Sequence, residues 1–235
     1  MSIAAKIALT PLLMWQAVST RRRMPRLPEA DGARSGVVGR GKALHLLVAG
    51  DSSAAGVGVD DQGMALAEPL ARKLAQTTGR RVHWRLVARS GLNTAQTLEL
   101  MRRECVRADV AVIVTGVNDV IEQLPSHRAV RHREALATWL RHHGGARHVA
   151  FLPLPPVHAF RGLPQPLRWV AGQDAQRHNQ ALRQWLSAQG EGLSLVDVTM
   201  PMNRGMLASD GFHPGEKAYR FMANSVAEHL SRHAD

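Results

Sequence analysis

Residues 44–53 read Leu-His-Leu-Leu-Val-Ala-Gly-Asp-Ser-Ser, a short apolar run that ends in a polar turn. A run of this length that stops at a glycine is typical of a strand buried inside a sheet. Later runs of similar length lie at residues 82–88, 110–115, 148–152 and 193–198. The chain therefore contains five predicted strands, and the β-branched run at 110–115 has the character of a central one.

Each predicted strand is followed by a segment whose apolar residues recur at helical spacing. The helical segments are residues 66–79, 94–107, 127–143, 173–189 and 215–233. Strands that alternate with helices predict a parallel sheet covered on both faces. Since crossovers between parallel strands are right-handed, few topologies remain. We predict an α/β fold: a three-layer α/β/α sandwich with a flavodoxin-like sheet of five parallel strands in the order 2-1-3-4-5.

Polar blocks follow the ends of the predicted strands. Residues 50–53 (Gly-Asp-Ser-Ser) follow the first strand, Ser90-Gly91 the second, and residues 116–119 (Gly-Val-Asn-Asp) the third. Residues 210–214 (Asp-Gly-Phe-His-Pro) lie between the fifth strand and the last helix. In an open parallel sheet the carboxyl ends of the strands share one edge, and the first three strands are neighbours in the predicted order. We therefore expect the four blocks to meet at one rim.

These blocks contain the residue types that acyl transfer needs. A serine hydroxyl is a weak nucleophile that requires a base within hydrogen-bond reach, and Ser52 and His213 are the candidates. Asp210, three residues before the histidine, would orient its ring and stabilise the imidazolium. The oxyanion of a tetrahedral intermediate needs preorganised donors. The backbone N–H groups of Ser52 and Gly91 and the side-chain amide of Asn118 are the predicted donors.

The four blocks in this order resemble the SGNH (GDSL) hydrolase family, over roughly residues 43–232. The resemblance maps the serine, glycine, asparagine and histidine of the family onto Ser52, Gly91, Asn118 and His213, with Asp210 as the third member of the triad. It implies an esterase or lipase-like enzyme that hydrolyses a carboxylic ester through an acyl-enzyme on Ser52 and needs no cofactor. The same resemblance permits thioesters and acetylated sugars as substrates. Ser53 stands where many members have leucine, and this position should not remove the chemistry.

The segment at residues 153–172 is long for a connection between a strand and a helix. Long loops in compact domains are often functional, and this one leaves the predicted catalytic rim. Its apolar residues Phe160, Leu163, Leu167 and Trp169 are predicted to line an acyl pocket; the alternative is that they cover the end of the sheet. The expected substrate is a small-molecule ester, which includes a lipid or lysophospholipid if the N-terminal segment meets membranes.

The positive charge is concentrated at the N-terminus. The formal net charge is +11, and residues 1–42 hold eight basic against two acidic residues. An apolar run at residues 7–18 precedes Arg21-Arg-Arg23. The run is shorter than the about 20 residues that a spanning helix needs. We divide the chain into this N-terminal segment, 1–42, and a hydrolase domain, 43–235.

Three interpretations of the N-terminal run stay open: an interfacial anchor, a helix packed on the domain, and a cleaved secretory signal. Three arginines directly after the run disfavour export. An anchor with Trp15 at the headgroup level and arginines facing anionic lipid suits the residues better. We therefore expect residues 1–26 to meet an anionic membrane surface, and the protein to be cytoplasmic or peripheral on the inner face of a membrane.

Other function classes find little support in the sequence. The twelve histidines include no H-E-x-x-H pattern, and no phosphate-binding or dinucleotide fingerprint follows the first strand, so we expect neither a metal nor a cofactor. Aromatic residues make up 4% and do not interleave with the basic run, so no nucleic-acid partner is expected. Cys105, the single cysteine, lies in an apolar helical pattern and is predicted to be buried. Two alternatives remain: an acyl- or acetyltransferase that uses the same serine, and a basic lipid- or nucleic-acid-binding protein on this scaffold.

Overall fold

The computed structural model of the protein describes residues 3–160, 162–198 and 205–232, without the side chains of residues 3–8 and 21. The helices are α1 (Ile3–Arg23), α2 (Ser52–Ala55), α3 (Ala67–Thr78), α4 (Thr94–Arg103), α5 (Val117–Ile121), α6 (Ser126–His142), α7 (Leu167–Ser187) and α8 (Glu216–Ser231). The strands are β1 (Ser35–Val38), β2 (Ala43–Gly50), β3 (Arg81–Ala88), β4 (Val110–Val114), β5 (His148–Phe151) and β6 (Leu193–Leu195). A short 3₁₀ turn forms at Val157–Ala159.

The strands form one sheet in the order β1-β3-β2-β4-β5-β6. Strands β2 to β6 are parallel and have the predicted order, so the three-layer α/β sandwich is confirmed. The expectation of a five-stranded, fully parallel sheet is wrong in one detail, because β1 pairs antiparallel with β3 at the edge. This strand has four residues and one exposed face, which leaves too little apolar pattern to identify it from sequence. It also lies before residue 43, where the hydrolase domain was expected to begin.

The core divides into two layers because side chains alternate along each strand. In β2, Leu44, Leu46 and Val48 point to a cluster completed by helices α3 and α8. Their neighbours Leu47 and Ala49 point to the other face, where α4, α6 and α7 cover the sheet. Both faces of the central strands are therefore apolar, which explains the nearly continuous hydrophobic runs in the sequence.

Helix α4 begins as predicted but ends early. Asn93 caps its N-terminus, and the Asn93 and Gln96 side chains form a reciprocal capping box. The helix ends at Arg103, and Cys105 follows with a φ of 45° and an exposed side chain. The expectation that Cys105 lies in the core is wrong, because the helical spacing that placed it on the buried face stops two residues before it.

Helix α1 packs on the N-terminal end of α7 through one buried polar side chain. The Gln16 amide donates from Nε2 to the Gln165 carbonyl oxygen at 2.7 Å, and its Oε1 accepts from the Leu167 N–H at 3.0 Å. On the opposite side of the helix, Met14 and Trp15 are 64% and 62% exposed. None of the helices in the described ranges combines the length and apolar character needed to cross a membrane.

Candidate active site

Three side chains from distant parts of the chain form a hydrogen-bonded line at the carboxyl edge of the sheet. His213 Nε2 lies 3.0 Å from Ser52 Oγ, and His213 Nδ1 lies 2.5 Å from Asp210 Oδ2. The Asp210 side chain is fully buried, and that of His213 is 19% exposed. The serine is thus paired with a base that a third group orients, which is the arrangement of an activated nucleophile.

The loop before α8 fixes the aspartate and the histidine relative to each other. Asp210 Oδ1 accepts hydrogen bonds from the backbone N–H groups of Phe212 at 2.9 Å and His213 at 3.0 Å. Burial alone would raise the pKa of the Asp210 carboxyl, but the hydrogen bonds from the His213 ring and these two N–H groups outweigh it and hold the pKa below its usual value. The carboxylate therefore stays charged when it faces the imidazole ring.

Ser52, the predicted nucleophile, lies at the start of the short helix α2. Asp51 caps this helix, and its Oδ1 accepts from the Ser53 N–H at 3.0 Å. Ser52 is the first helical residue, so its N–H has no acceptor within the helix and remains available to a substrate oxyanion. Complete burial raises the pKa of the Asp51 carboxyl to about 7, although the Ser53 N–H and His213 act against this shift.

The other two predicted oxyanion donors lie on neighbouring loops of the same rim. Gly91 adopts a φ of 82°, and a Cβ at this position would meet no atom within 4 Å, so its backbone borders open space. Asn118 lies in the first turn of α5, where its Nδ2 donates to the Leu92 carbonyl oxygen at 2.9 Å. This bond directs the amide toward the loop that carries Gly91, and the second N–H of the amide can serve an oxyanion.

One supporting contact comes from a segment to which sequence reasoning assigned no role at the site. Glu29 Oε1 accepts from the Ser90 N–H at 2.6 Å, and Glu29 Oε2 pairs with Arg34 at 2.6 Å. Arg34 also donates to the Ala88 carbonyl oxygen at 2.8 Å, at the end of β3. The two side chains thus hold the loop before Gly91. No local pattern signals this contact, because Glu29 and Ser90 are 61 residues apart.

The four residues predicted to line an acyl pocket occupy two places. Phe160 is buried and Leu163 is partly buried in an apolar cluster with Val120 and Phe212. Phe212 makes edge-to-face contacts with the rings of Phe160, at 5.3 Å between centroids, and His213, at 5.1 Å. This cluster therefore extends to His213.

Leu167 and Trp169 lie instead in the first turn of α7. Leu167 is half-buried there, and its backbone N–H is the group bonded by Gln16 of α1, whereas Trp169 is 44% exposed. A cleft of about 470 Å³ lies between residues 15–25, at and just after the end of α1, and the residues Gly162, Pro164 and Asp210. This part of the chain therefore borders both the loop that bears Leu163 and the start of α7.

Within the described ranges, no group of three or more His, Cys, Asp or Glu side chains is placed to hold a metal ion. The chemistry that the described side chains support is nucleophilic attack by a serine with histidine as the base.

Comparisons with known proteins show which family and fold the chain shares. Residues 48–221 match the sequence model of the GDSL-like Lipase/Acylhydrolase family. The chain is similar to the GDSL-like esterase Rv1075c of Mycobacterium tuberculosis, with 26% identity over 233 residues that cover 91% of this chain and 74% of that protein. Residues 48–221, which match the family model, contain all four polar blocks.

Solved structures share the fold. The lipase Lip_vut3 from a goat rumen metagenome superposes with a TM-score of 0.64 at 20% identity, covering 79% of this chain and 96% of that one. TesA superposes with a TM-score of 0.57 at 25% identity, covering 79% of this chain and 97% of that one. Most of each relative's length is therefore represented in this chain.

The raised pKa of Asp51 predicts a specific pH dependence of stability. Between the ordinary value near 4 and about 7, the folded protein holds a proton on Asp51 that the unfolded chain releases, so this group lowers the stability as pH rises through that window. Asp51→Asn keeps an oxygen to accept from Ser53 but does not titrate. Relative to wild type, its urea midpoint should therefore increase from pH 5 to pH 8.

Asp60→Asn is the matched control, because Asp60 is exposed in the same segment of the chain. Its urea midpoint should follow that of wild type across the pH range. Parallel pH profiles for wild type and Asp51→Asn would contradict the prediction.

Proposed function

The chain belongs to the GDSL-like lipase/acylhydrolase family, and we propose that it hydrolyses carboxylic esters through an acyl-enzyme on Ser52. The observation that carries this proposal is the line of hydrogen bonds from Ser52 through His213 to Asp210. Membership of the family supports ester hydrolysis in general. The assignment of each role to a residue of this chain is our proposal.

In the proposed reaction, Ser52 Oγ attacks the ester carbonyl carbon while His213 Nε2 takes its proton. Asp210 stabilises the imidazolium that forms. The collapsing intermediate expels the alcohol, which receives the proton from His213, and the acyl group stays on Ser52. Water then attacks the acyl-enzyme with His213 as base, which releases the acid and restores the serine.

The carbonyl oxygen becomes negatively charged in both tetrahedral intermediates. The proposed donors to it are the N–H groups of Ser52 and Gly91 and the Asn118 side-chain amide. Preorganised donors of this kind stabilise the transition state more than the ground state, because they are aimed at charge that develops during the reaction.

Ser52→Ala and His213→Ala should each lower kcat on a soluble chromogenic ester by several orders of magnitude, since the members of a triad act as a unit. A serine-directed phosphonate should label Ser52, which peptide mass spectrometry would show. Ser53→Ala is the matched control, because it removes a neighbouring hydroxyl that does not contact His213 through any described bond. Labelling at Ser53, or full activity in Ser52→Ala, would refute the assignment.

The same assay separates hydrolysis from acyl transfer. With an ester and an alcohol acceptor together, the expected main product is the free acid. A product dominated by the new ester would identify an acyltransferase that uses the same serine.

We also propose that the acyl chain lies against the apolar cluster next to His213. Leu163 and Phe212 are two of its partly buried members, and Phe160 is one of its buried members. The residues predicted from the sequence to line the pocket also include Leu167 and Trp169, which lie in the first turn of α7, next to α1. An apolar wall discriminates by about 1–3 kcal/mol per methylene-sized mismatch, so selectivity for chain length should be graded.

Leu163→Ala should shift the preferred acyl chain toward longer esters, because it leaves more space at the wall. Acetyl-ester turnover should stay within about tenfold, because an acetyl group is too short to depend on the wall. Trp169→Ala, measured with the same series of ester chain lengths, shows whether the wall extends to α7. A chain-length profile that is unchanged in both variants would show that the loop covers the end of the sheet and does not contact the acyl group.

A separate observation supports our proposal that residues 1–26 bind an anionic membrane surface. Met14, Trp15 and Val18 form an exposed apolar stripe on α1, each at least half exposed, on the side away from Gln16. Exposed Arg22, Arg23 and Arg26 continue from its C-terminal end. The side chains of Lys6 and Arg21, which also support the expectation, lie outside the described residues. An apolar stripe with basic residues at one end is the pattern of a helix lying in the lipid interface.

We also propose that the protein lies in the cytoplasm or on the inner face of a membrane, where anionic lipid is available, and that lipid esters are candidate substrates.

Binding of the protein to vesicles that contain anionic lipid should decrease with added salt, because salt screens the charges of the arginines. Replacing Met14, Trp15 and Val18 together by serine should weaken binding and leave turnover of soluble short-chain esters unchanged.

Ile121→Ser and Val37→Ser are the matched controls, since both residues are exposed apolar side chains outside α1. Neither should alter vesicle binding. Equal vesicle binding by wild type and the triple variant, or none by wild type, would contradict the membrane proposal and favour a helix that only packs on the domain.

A further inference from the structure

The proposed oxyanion donors Gly91 and Asn118 lie on different loops, so contacts between these loops must fix the positions of the two donors relative to each other. Gly91 precedes α4, and Asn118 lies in α5, which follows β4, the next strand along the chain. A displacement of about 1 Å in such a site can cost about a hundredfold in rate. The Asn118 bond to the Leu92 carbonyl oxygen is one connection between them.

Asp119 makes a second and stronger connection. Its carboxylate is fully buried and accepts from the Thr94 N–H at 3.0 Å and from the Thr94 hydroxyl at 2.6 Å. Thr94 is the first residue of α4 and lies three residues after Gly91, while Asp119 directly follows Asn118. The pair thus joins the two loops that carry the donors, and hydrogen bonds to a charged acceptor are stronger than those to a neutral one.

A buried carboxylate requires a counter-charge, and Arg133 of α6 supplies it. The Arg133 side chain is 1% exposed, and its Nη2 lies 3.8 Å from Asp119 Oδ2 and 3.4 Å from the Thr115 carbonyl oxygen. Gly116 leaves room for it: at a φ of 123°, a Cβ on this residue would come within 2.1 Å of Arg133 Nη2. The guanidinium therefore packs directly behind the turn that presents Asn118.

Burying the Arg133 guanidinium costs free energy that an apolar side chain at a purely structural position would not cost. Within the part of the chain that the structure describes, its Nε and Nη1 atoms have no hydrogen-bond partner. Buried donors without partners cost free energy, and apolar side chains often replace buried ion pairs without loss of stability. Asp51 also lies near Arg133, as does the buried His178, whose pKa is lowered by burial and by the guanidinium charge.

We propose that Arg133 is a positioning residue for the oxyanion hole: it holds the Asp119 carboxylate, which through Thr94 keeps Gly91 and Asn118 in register. The inference rests on the proposed ester hydrolysis, because it assigns a role within that reaction. Arg133 does not touch the substrate and acts only through the buried network.

The test uses Arg133→Met, which keeps an unbranched buried side chain but removes the charge. On a soluble short-chain ester, kcat should fall by about tenfold to a hundredfold with KM within about twofold, because the donors act on the developing charge. Backbone hydrogen exchange at the Thr94 amide should accelerate, since its acceptor loses its counter-charge. Arg131→Met is the matched control, an exposed arginine on the same helix that should behave as wild type.

Two milder variants keep the inference testable if Arg133→Met does not fold. Arg133→Lys retains the charge and should recover part of the lost kcat. Thr94→Val removes the hydroxyl, which contacts Asp119 and the Thr115 hydroxyl, but keeps the Thr94 N–H bond to Asp119; it should lower kcat by about tenfold with KM unchanged.

A kcat within twofold of wild type in the folded variants, or a loss confined to KM, would overturn the inference. If wild type and Ser52→Ala do not differ in ester turnover, the proposed function fails instead. Exchange at Thr94 then tests the buried network separately: unchanged protection without the Arg133 charge overturns the inference, and lost protection shows that Arg133 holds the Thr94–Asp119 contact although no oxyanion hole depends on it.

Discussion

Parallel pairing of β2 with both β3 and β4 is the constraint on which the candidate site depends. Gly50 lies opposite Ala88 on one side and Val114 on the other, so the three strands end at the same level. Ser52, Gly91 and Asn118, the proposed nucleophile and oxyanion donors, each follow one of these ends. A shift of register in either pairing would move one donor by a full residue length, about 3.3 Å, which is more than a hydrogen bond tolerates.

Ionisable side chains buried beneath this edge hold the loops that follow the strand ends in fixed positions. Asp51 caps the helix of the nucleophile, and Asp119 ties α5 to α4, with Arg133 as their shared positive neighbour. Such groups are costly to bury, and each is retained where a loop of the rim must be held. The distribution of buried charge therefore follows the chemistry of the site and not the needs of the apolar core, which the two faces of the sheet supply.

The N-terminal segment takes part in the fold and borders the site. Strand β1 extends the sheet, Glu29 holds the loop before Gly91, and Gln16 fastens α1 to the start of α7. Its exposed apolar stripe lies on the other side of the same helix. A segment with these two faces can connect the proposed membrane surface to the loop that bears the proposed acyl wall.

The sequence alone determined the fold class, the order of the five parallel strands and the four polar blocks, because strand and helix periodicity and motif spacing are local properties of the chain. Right-handed crossovers then left few ways to arrange the strands. Only the tertiary structure decided the edge strand β1, the bond from Glu29 to Ser90 and the burial of Arg133 beside Asp119. These features depend on contacts between residues far apart in the chain. Local patterns carry no signal for them, since an arginine on an amphipathic helix looks the same in sequence whether it meets water or a buried carboxylate.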